Sequence, residues 1–323
     1  MLNKFWADLQ SPKNRYPIPE DLHSQQLGYY YFIFDEERVA AGKDQKLISQ
    51  FDKNGIPLNK TYIDVTDKNY VYFPISIGQM GLAVYHTYLK SKSTHDKNRF
   101  LKFADWFAGH ASMDQTLGAR WLTDVPLPQY NNPGPWQSAF AQSRAISILL
   151  RGYQLTNDDR YVRMAEKALI SYTHPVDAGG VATFTEHGPF YEEYTAKGPT
   201  LVLNGMIFSL FGVMDFVRMF PGNELARDIH DRGIKTLQLI LPQYNLGFWS
   251  RYNLCRIKGY PAVDPATIGY QRLHVLQLDI MHRYTKIDLF KHYMNIFKGQ
   301  DTLSNIFKMY KTKYKSLKAL NRL

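Results

Sequence analysis

One phrase recurs through this chain with altered words: a helix-length run that is apolar almost all round, then a run with its charges gathered on one face. ISIGQMGLAVYHTYL precedes RFLKFADWFAGHASM, WQSAFAQSRAISILLRGYQLT precedes DRYVRMAEKALISYT, TLVLNGMIFSLFGVMDFVRMF precedes ELARDIHDRGIKTLQLIL, and IGYQRLHVLQLDIMHRYT precedes DLFKHYMNIFKG. A helix without a polar face has to be covered on every side, whereas one with a charged stripe can face water. The first helix of each pair is therefore inner and the second outer. Pairs that begin near residues 75, 137, 200 and 268 repeat at roughly 60 to 70 residues, the spacing of a ring of inner and outer helix layers. The predicted fold is mainly α: an incomplete (α/α) toroid of about four helical hairpins with a small N-terminal β element.

The expected domain organisation has three parts. Residues 1–70 read as an irregular, β-hairpin extension, with strands expected at 29–34 (YYYFIF) and 61–66 (TYIDVT) around the Asn54-Gly55 turn and Pro57. Residues 71–300 carry the toroid. Residues 301–323 read as a basic tail in which Lys308, Lys311, Lys313, Lys315, Lys318 and Arg322 form a solvated face. Hydrophobic residues make up 45% of the 323, ample for a large core. Lys plus Arg number 39 against 29 Asp plus Glu, so nucleic acid, an anionic membrane surface and an acidic polysaccharide all suit the net charge, which alone does not choose among them.

Cys255 is the single cysteine, which excludes an internal disulfide and a thiolate metal cluster within one chain and fits a reducing compartment. MLNKFWADLQSPKN lacks the apolar core of a secretory signal, and no stretch approaches the ~18 apolar residues of a membrane span. A soluble, intracellular protein is expected. The HExxH, GxxxxGK[ST], GxSxG and paired CxxC patterns are absent, which argues against zincins, P-loop enzymes, α/β hydrolases and zinc ribbons.

In a ring of this kind all inner helices run the same way, so the segments preceding them line one cleft. Those segments hold Tyr72, Gln79, Trp136, Gln142, Glu193, Tyr194, Asn204, Arg251, Tyr252, Tyr270 and His274. Aromatic faces beside amides and acids suit sugar rings, and Arg suits a uronate carboxylate. The chemistry is expected in FYEEYTAKGPTLVLN at 190–204, where two carboxylates and two phenols stand side by side before a Gly198-Pro199 breaker. A carboxylate in a partly dry pocket has its pKa raised toward neutrality, which suits proton transfer. His274 and Gln277, one turn apart, read as a satisfied buried polar pair, with no metal ligand expected. Asp264-Pro265 reads as an N-cap with Pro at N1.

The stretch FYEEYTAKGPTLVLNGMIFSLFGVMDF, followed by LPQYNLGFWSRYNL and GYQRLHVLQL, resembles the C-terminal domain of heparan sulfate D-glucuronyl C5-epimerases. YVYFPISIGQMGLAVY and PGPWQSAFAQSRAISILLRGYQLTND resemble the same family in the same order, over roughly residues 65–300. The resemblance implies conversion of D-glucuronate to L-iduronate within a heparosan-like chain, with catalytic positions at Glu193, Tyr194, Tyr252 and Tyr270. It implies no cofactor, an acidic polysaccharide rather than nucleic acid as partner, and association into a homodimer as in the animal members. The N-terminal β domains and membrane anchor of animal members are not carried over; a bacterial, cytoplasmic version is expected. Where animal members carry an Arg-His pair, this chain has Leu254-Cys255, with Arg251 and Arg256 nearby.

Epimerisation needs a proton to leave one face of the ring and another to arrive on the opposite face. The expected assignment is Glu193 on one face and Tyr270 on the other, with Tyr194 and Tyr252 positioning the carboxylate or tuning pKa. Arg251 or Arg256, helped by Asn204, would stabilise the enediolate. Glu192 is expected to point away from the cleft. A polysaccharide lyase on the same fold is the enzymatic rival, and a non-catalytic glycan-binding protein is the other alternative.

Overall fold

The computed structural model describes residues 16–42, 48–60 and 70–320. Short helix α1 (Glu36–Ala40) and a small sheet of β1 (Ile48–Phe51), β2 (Pro57–Lys60) and β3 (Tyr70–Val71), paired antiparallel in that order, precede the helical body. Four hairpins follow: α2 (Pro74–Ser91) with α3 (Thr94–Gly109), α4 (Ala139–Thr156) with α5 (Asp159–Leu169), α6 (Leu203–Met219) with α7 (Glu224–Ile240), and α8 (Ile268–Thr285) with α9 (Asp288–Gln300). The expected mainly α, open toroid is the architecture found. The all-round apolar runs are the inner helices: α6 buries every residue from Leu203 to Phe216, whereas α5 buries Tyr161, Ala165, Ala168 and Leu169 on one face. Inner helices pack in sequence order, α2 on α4, α4 on α6 and α6 on α8.

Three hairpins turn by the same two-residue device. Lys92, Asn157 and Lys286, just past α2, α4 and α8, adopt left-handed backbone at φ 54°, 56° and 60°, and the next residue caps the outer helix. Ser93 and Asp158 do so with a side-chain oxygen on a backbone N–H. So tight a turn forces each outer helix back along its inner partner.

The N-terminal aromatic run departs from expectation. YYYFIF at 29–34 is irregular, not a strand, and the expected strand at 61–66 lies outside the described residues; β1 pairs β2 across Asn54-Gly55 instead. The run fails as a strand because its backbone is engaged by His86 on α2: the Tyr30 N–H donates to Nε2 at 3.0 Å, and Nδ1 faces Phe34, 3.0 Å from its N and 3.4 Å from its O. Residues 23–34 together touch all four inner helices, through Tyr85–Leu27, Gln154–Leu27, Tyr31–Phe211 and the His23–Tyr284 stack. Tyr30, Tyr31, Phe32 and Phe34 are buried in the main core. It is a plug in the ring's interior.

Within the stretch expected as a tail, residues Leu303–Ala319 form a helix, α10. Its Ile306 and Met309 join Trp249, Ala266 and Ile268 in a second, smaller apolar cluster beside the start of α8.

Candidate active site

The hairpin β4 (Ala182–Thr185) and β5 (Gly188–Tyr191) delivers the chain to Glu192 and Glu193, and successive residues of extended chain face opposite ways. Glu192 turns from the cleft, as expected, yet it is fully engaged. Its carboxylate accepts from Thr183 Oγ1 (2.7 Å), Thr200 N (3.1 Å), Thr200 Oγ1 (2.5 Å) and Leu201 N (2.9 Å). Leu201 stands at φ 47°, an uncommon conformation for a branched residue, and Glu192 together with the Tyr244 hydroxyl on Leu201 O (2.6 Å) holds it there. That bend sets the start of α6 against Glu193.

Glu193 is 5% exposed and rests on the first turn of α6, where Asn204 Nδ2 donates to Oε2 at 3.3 Å. A Cβ on Gly205 would stand 2.4 Å from Glu193 Cβ, so only glycine admits this approach. Burial raises the Glu193 pKa to about 7, the Tyr194 hydroxyl and Asn204 pull it down as hydrogen-bond donors, and the charge of Glu192 pushes it up. The Tyr194 and Tyr252 phenols are held well above their usual pKa, first by burial and then by neighbouring negative charge, that of Glu193 included, while Tyr252 pulls the Tyr194 value the other way. Tyr194 stands between Tyr252 and Glu193, close enough to each to bear on its ionisation. The Tyr252 and Tyr270 rings lie 5.0 Å apart.

Backbone bonds bring these residues together from separate repeats. Leu203 N donates to Tyr252 O (3.2 Å), Tyr252 N to Asp264 O (2.8 Å) and Ala139 N to Glu192 O (2.9 Å), so the segments before α4, α6 and α8 share one end of the ring. Helix α8 begins at Ile268 under a Thr267 cap. Asp264, expected as the cap, instead binds Lys313 and the Tyr260 hydroxyl.

The other expected site residues divide. Asn204 is in the cluster, and Trp136 stands behind it, its ring 5.3 Å from Tyr194 and its indole N–H on Val125 O. Gln142 is structural: buried, it binds Ala119 O, Ala168 O, Ser171 Oγ and Trp121 N. Gln79 is buried in α2. Tyr72 binds Asp52 at 2.8 Å and lies by Trp106 and His110 of α3. His274 bonds Ser250 Oγ at 2.9 Å, while Gln277 bonds Asn204 O, so the two are not each other's partners. Burial lowers the His274 pKa to about 3, so its ring is neutral. Arg251 donates to Ala262 O, Arg256 is exposed, and both charges bear on Tyr244.

Two tyrosines escaped the sequence reading. Tyr130 packs 5.3 Å from Tyr194 and 5.5 Å from Tyr260, extending the aromatic wall. Tyr130 ends a single 3-10 turn (Pro128–Tyr130) and Tyr260 lies in a loop, both too short for periodicity to mark which way a ring turns; Tyr130's place among Pro126, Pro128 and Pro133 is the one available signal. Among the described residues no three His, Cys, Asp or Glu side chains gather to hold a metal ion, and no helix is long and apolar enough to cross a membrane.

Residues 114–299 match the family model of the D-glucuronyl C5-epimerase C-terminus. The chain is 27% identical over 177 residues to an uncharacterized protein of Methanocaldococcus jannaschii, covering 54% of this chain and 55% of that one. It is 27% identical over 223 residues to the D-glucuronyl C5-epimerase of Caenorhabditis elegans, covering 63% of this chain and 35% of that one. The chain thus spans about half and about a third of these relatives' lengths. Cellobiose 2-epimerase of Spirochaeta thermophila shares the fold, with a TM-score of 0.53 at 12% identity over 81% of this chain and 65% of that one.

Proposed function

The chain belongs to the D-glucuronyl C5-epimerase C-terminal family, and from that premise we propose that it interconverts D-glucuronate and L-iduronate within an acidic, heparosan-like polysaccharide. The observation that carries this reading is Glu193: a buried carboxyl with its pKa raised to about 7, in contact with Tyr194 and Asn204, with Tyr252 and Tyr270 paired beside it. A carboxyl poised there is half-ionised at neutral pH and can both take and return a proton.

In the proposed reaction Glu193 removes the C5 proton from one face, and the C5–H electron pair passes into the substrate carboxyl as an enediolate. A tyrosine hydroxyl on the other face, assigned to Tyr270, delivers a proton to C5. Tyr252 and Tyr194 adjoin Glu193 and are assigned the tuning of its ionisation, and Tyr194 the stabilisation of the developing negative charge. Reversal exchanges the roles, and no redox change occurs. Arg251 and Arg256 retain a proposed part in holding the polymer rather than the enediolate, since their guanidiniums bear on Ala262 and Tyr244.

The test is incubation of a heparosan-type polymer in heavy water. Deuterium at C5 with iduronate formed and chain length preserved is the expected result. An unsaturated, ultraviolet-absorbing uronate would assign a lyase, and binding without exchange would assign a glycan-binding protein. Binding should weaken with salt, given the net charge of +10 and a screening length near ~8 Å at physiological ionic strength.

A further inference from the structure

We infer that α10, which lies beyond the family-matched residues 114–299, is a working part of the site and positions Tyr252 and Tyr270. The inference rests on the epimerase reading for its catalytic consequence, but its structural content stands on α10 alone.

Two independent contacts carry it. The first is apolar: Tyr270, in the first turn of α8, packs against the small cluster of Trp249, Ala266 and Ile268, which Ile306 and Met309 of α10 complete. The second is ionic: Lys313 Nζ lies 5.7 Å from the centroid of the Tyr252 ring and donates to Asp264 Oδ1 (2.5 Å) and Pro265 O (3.1 Å). Asp264 is tied to Tyr252 through its own carbonyl, which accepts the Tyr252 N–H at 2.8 Å. Its second carboxylate oxygen accepts from the Tyr260 hydroxyl at 2.7 Å, and Tyr260 stacks on Tyr130, which packs on Tyr194. One ammonium therefore steadies Tyr252 directly and the aromatic wall through Asp264. One turn on, Ser316 donates to Val263 O at 2.6 Å.

The spacing 306, 309, 313, 316 is one helical face, and it is the face turned inward: Lys308, Lys311, Lys315 and Lys318 are exposed, while the Lys313 side chain is 17% exposed. Removing the Lys313 charge leaves the Asp264 carboxylate, 5% exposed, without its cation. Such a group re-pairs or draws in water, and the 264–266 segment, to which the Tyr252 N–H is bonded, shifts with it.

The test uses the full chain as Lys313→Met and Lys313→Arg, with 3-fluorotyrosine at position 252 read by fluorine NMR. Lys313→Met should move the fluorine resonance and lower kcat for C5 exchange about 10- to 100-fold, the scale of a displacement near 1 Å, with KM changed far less. Lys313→Arg, which keeps the ion pair, should restore most of both. A resonance that stays in place in Lys313→Met overturns the inference whatever happens to turnover. Failure of the wild-type chain to exchange C5 deuterium overturns the epimerase reading instead, and leaves the fluorine measurement standing.

Discussion

The ring buries a charge among aromatic rings in two places, with opposite results. Arg144 of α4 sits at 0% exposure, its guanidinium carbon 4.7, 5.3, 4.9 and 5.1 Å from the ring centroids of Tyr30, Phe34, Phe140 and Phe208. Its Nε and Nη1 have no hydrogen-bond partner among the described residues. Burial pushes its pKa down, but from so high an origin that it stays charged at neutral pH, and ring faces supply what water would have given. Glu193 meets phenol hydroxyls and an amide, and its ordinary pKa of 4.5 lies close enough to neutrality for burial to carry it to about 7. The same desolvation thus leaves one group a fixed structural cation and lets the other exchange its proton near neutral pH. Identity of the group, not depth of burial, decides which.

The largest effect should come from disabling the exchanging carboxyl. Glu193→Gln and Tyr270→Phe should each slow C5 exchange by about 10² to 10⁴, measured as deuterium uptake from either epimer. Wild-type exchange in both variants would remove the two residues from the mechanism. The same Glu193→Gln change should affect stability in the other direction. A carboxyl whose pKa is raised by folding contributes stability below pH 4.5 that is lost as pH rises through about 7. Denaturant unfolding at pH 8 should therefore find Glu193→Gln more stable than wild type, by up to about 3 kcal/mol, with the gap closing toward pH 4.5.

Removing the fixed cation should only destabilise. Arg144→Ala opens a void beneath four rings and should lower unfolding free energy by about 3 kcal/mol, as large-to-small core changes do, at every pH between 5 and 9. A pH-dependent difference would mean that Arg144 is coupled to a titrating neighbour and that the contrast with Glu193 is too sharply drawn.

Glu192 tests whether the two adjacent carboxylates differ as their partners indicate. Sequence reasoning expects a mild effect of Glu192→Gln, because the side chain points away from the cleft. That expectation concerns turnover; in stability the change should cost more, because an amide donor would face Thr and backbone donors that now converge on an acceptor, for a loss of about 1–3 kcal/mol by urea unfolding. At the small end, Tyr72→Phe removes one partly exposed hydrogen bond to Asp52 and should cost under about 1 kcal/mol with turnover unchanged. A raised KM would return Tyr72 to the binding surface.

The amino-acid sequence by itself determined the layers and the hairpins, because apolar periodicity and the Lys92-Ser93 and Asn157-Asp158 junctions are local and act within a few residues. It also pointed to Glu193, Tyr194, Tyr252 and Tyr270, since they head the inner helices that a ring must gather at one end, and since the stretches carrying them resemble a known family. Only the tertiary structure decided that YYYFIF is a plug rather than a strand, because its backbone partners are the two nitrogens of His86, more than fifty residues away in sequence. It likewise made Gln142 a scaffold, gave Glu192 its ring of Thr and backbone donors, and turned Lys313 alone of the basic C-terminal lysines toward the tyrosines. A side chain's sequence states what it can bond, whereas burial and the choice of partner belong to the packed ring, where the cost of leaving a polar group unmet selects among the bonds available.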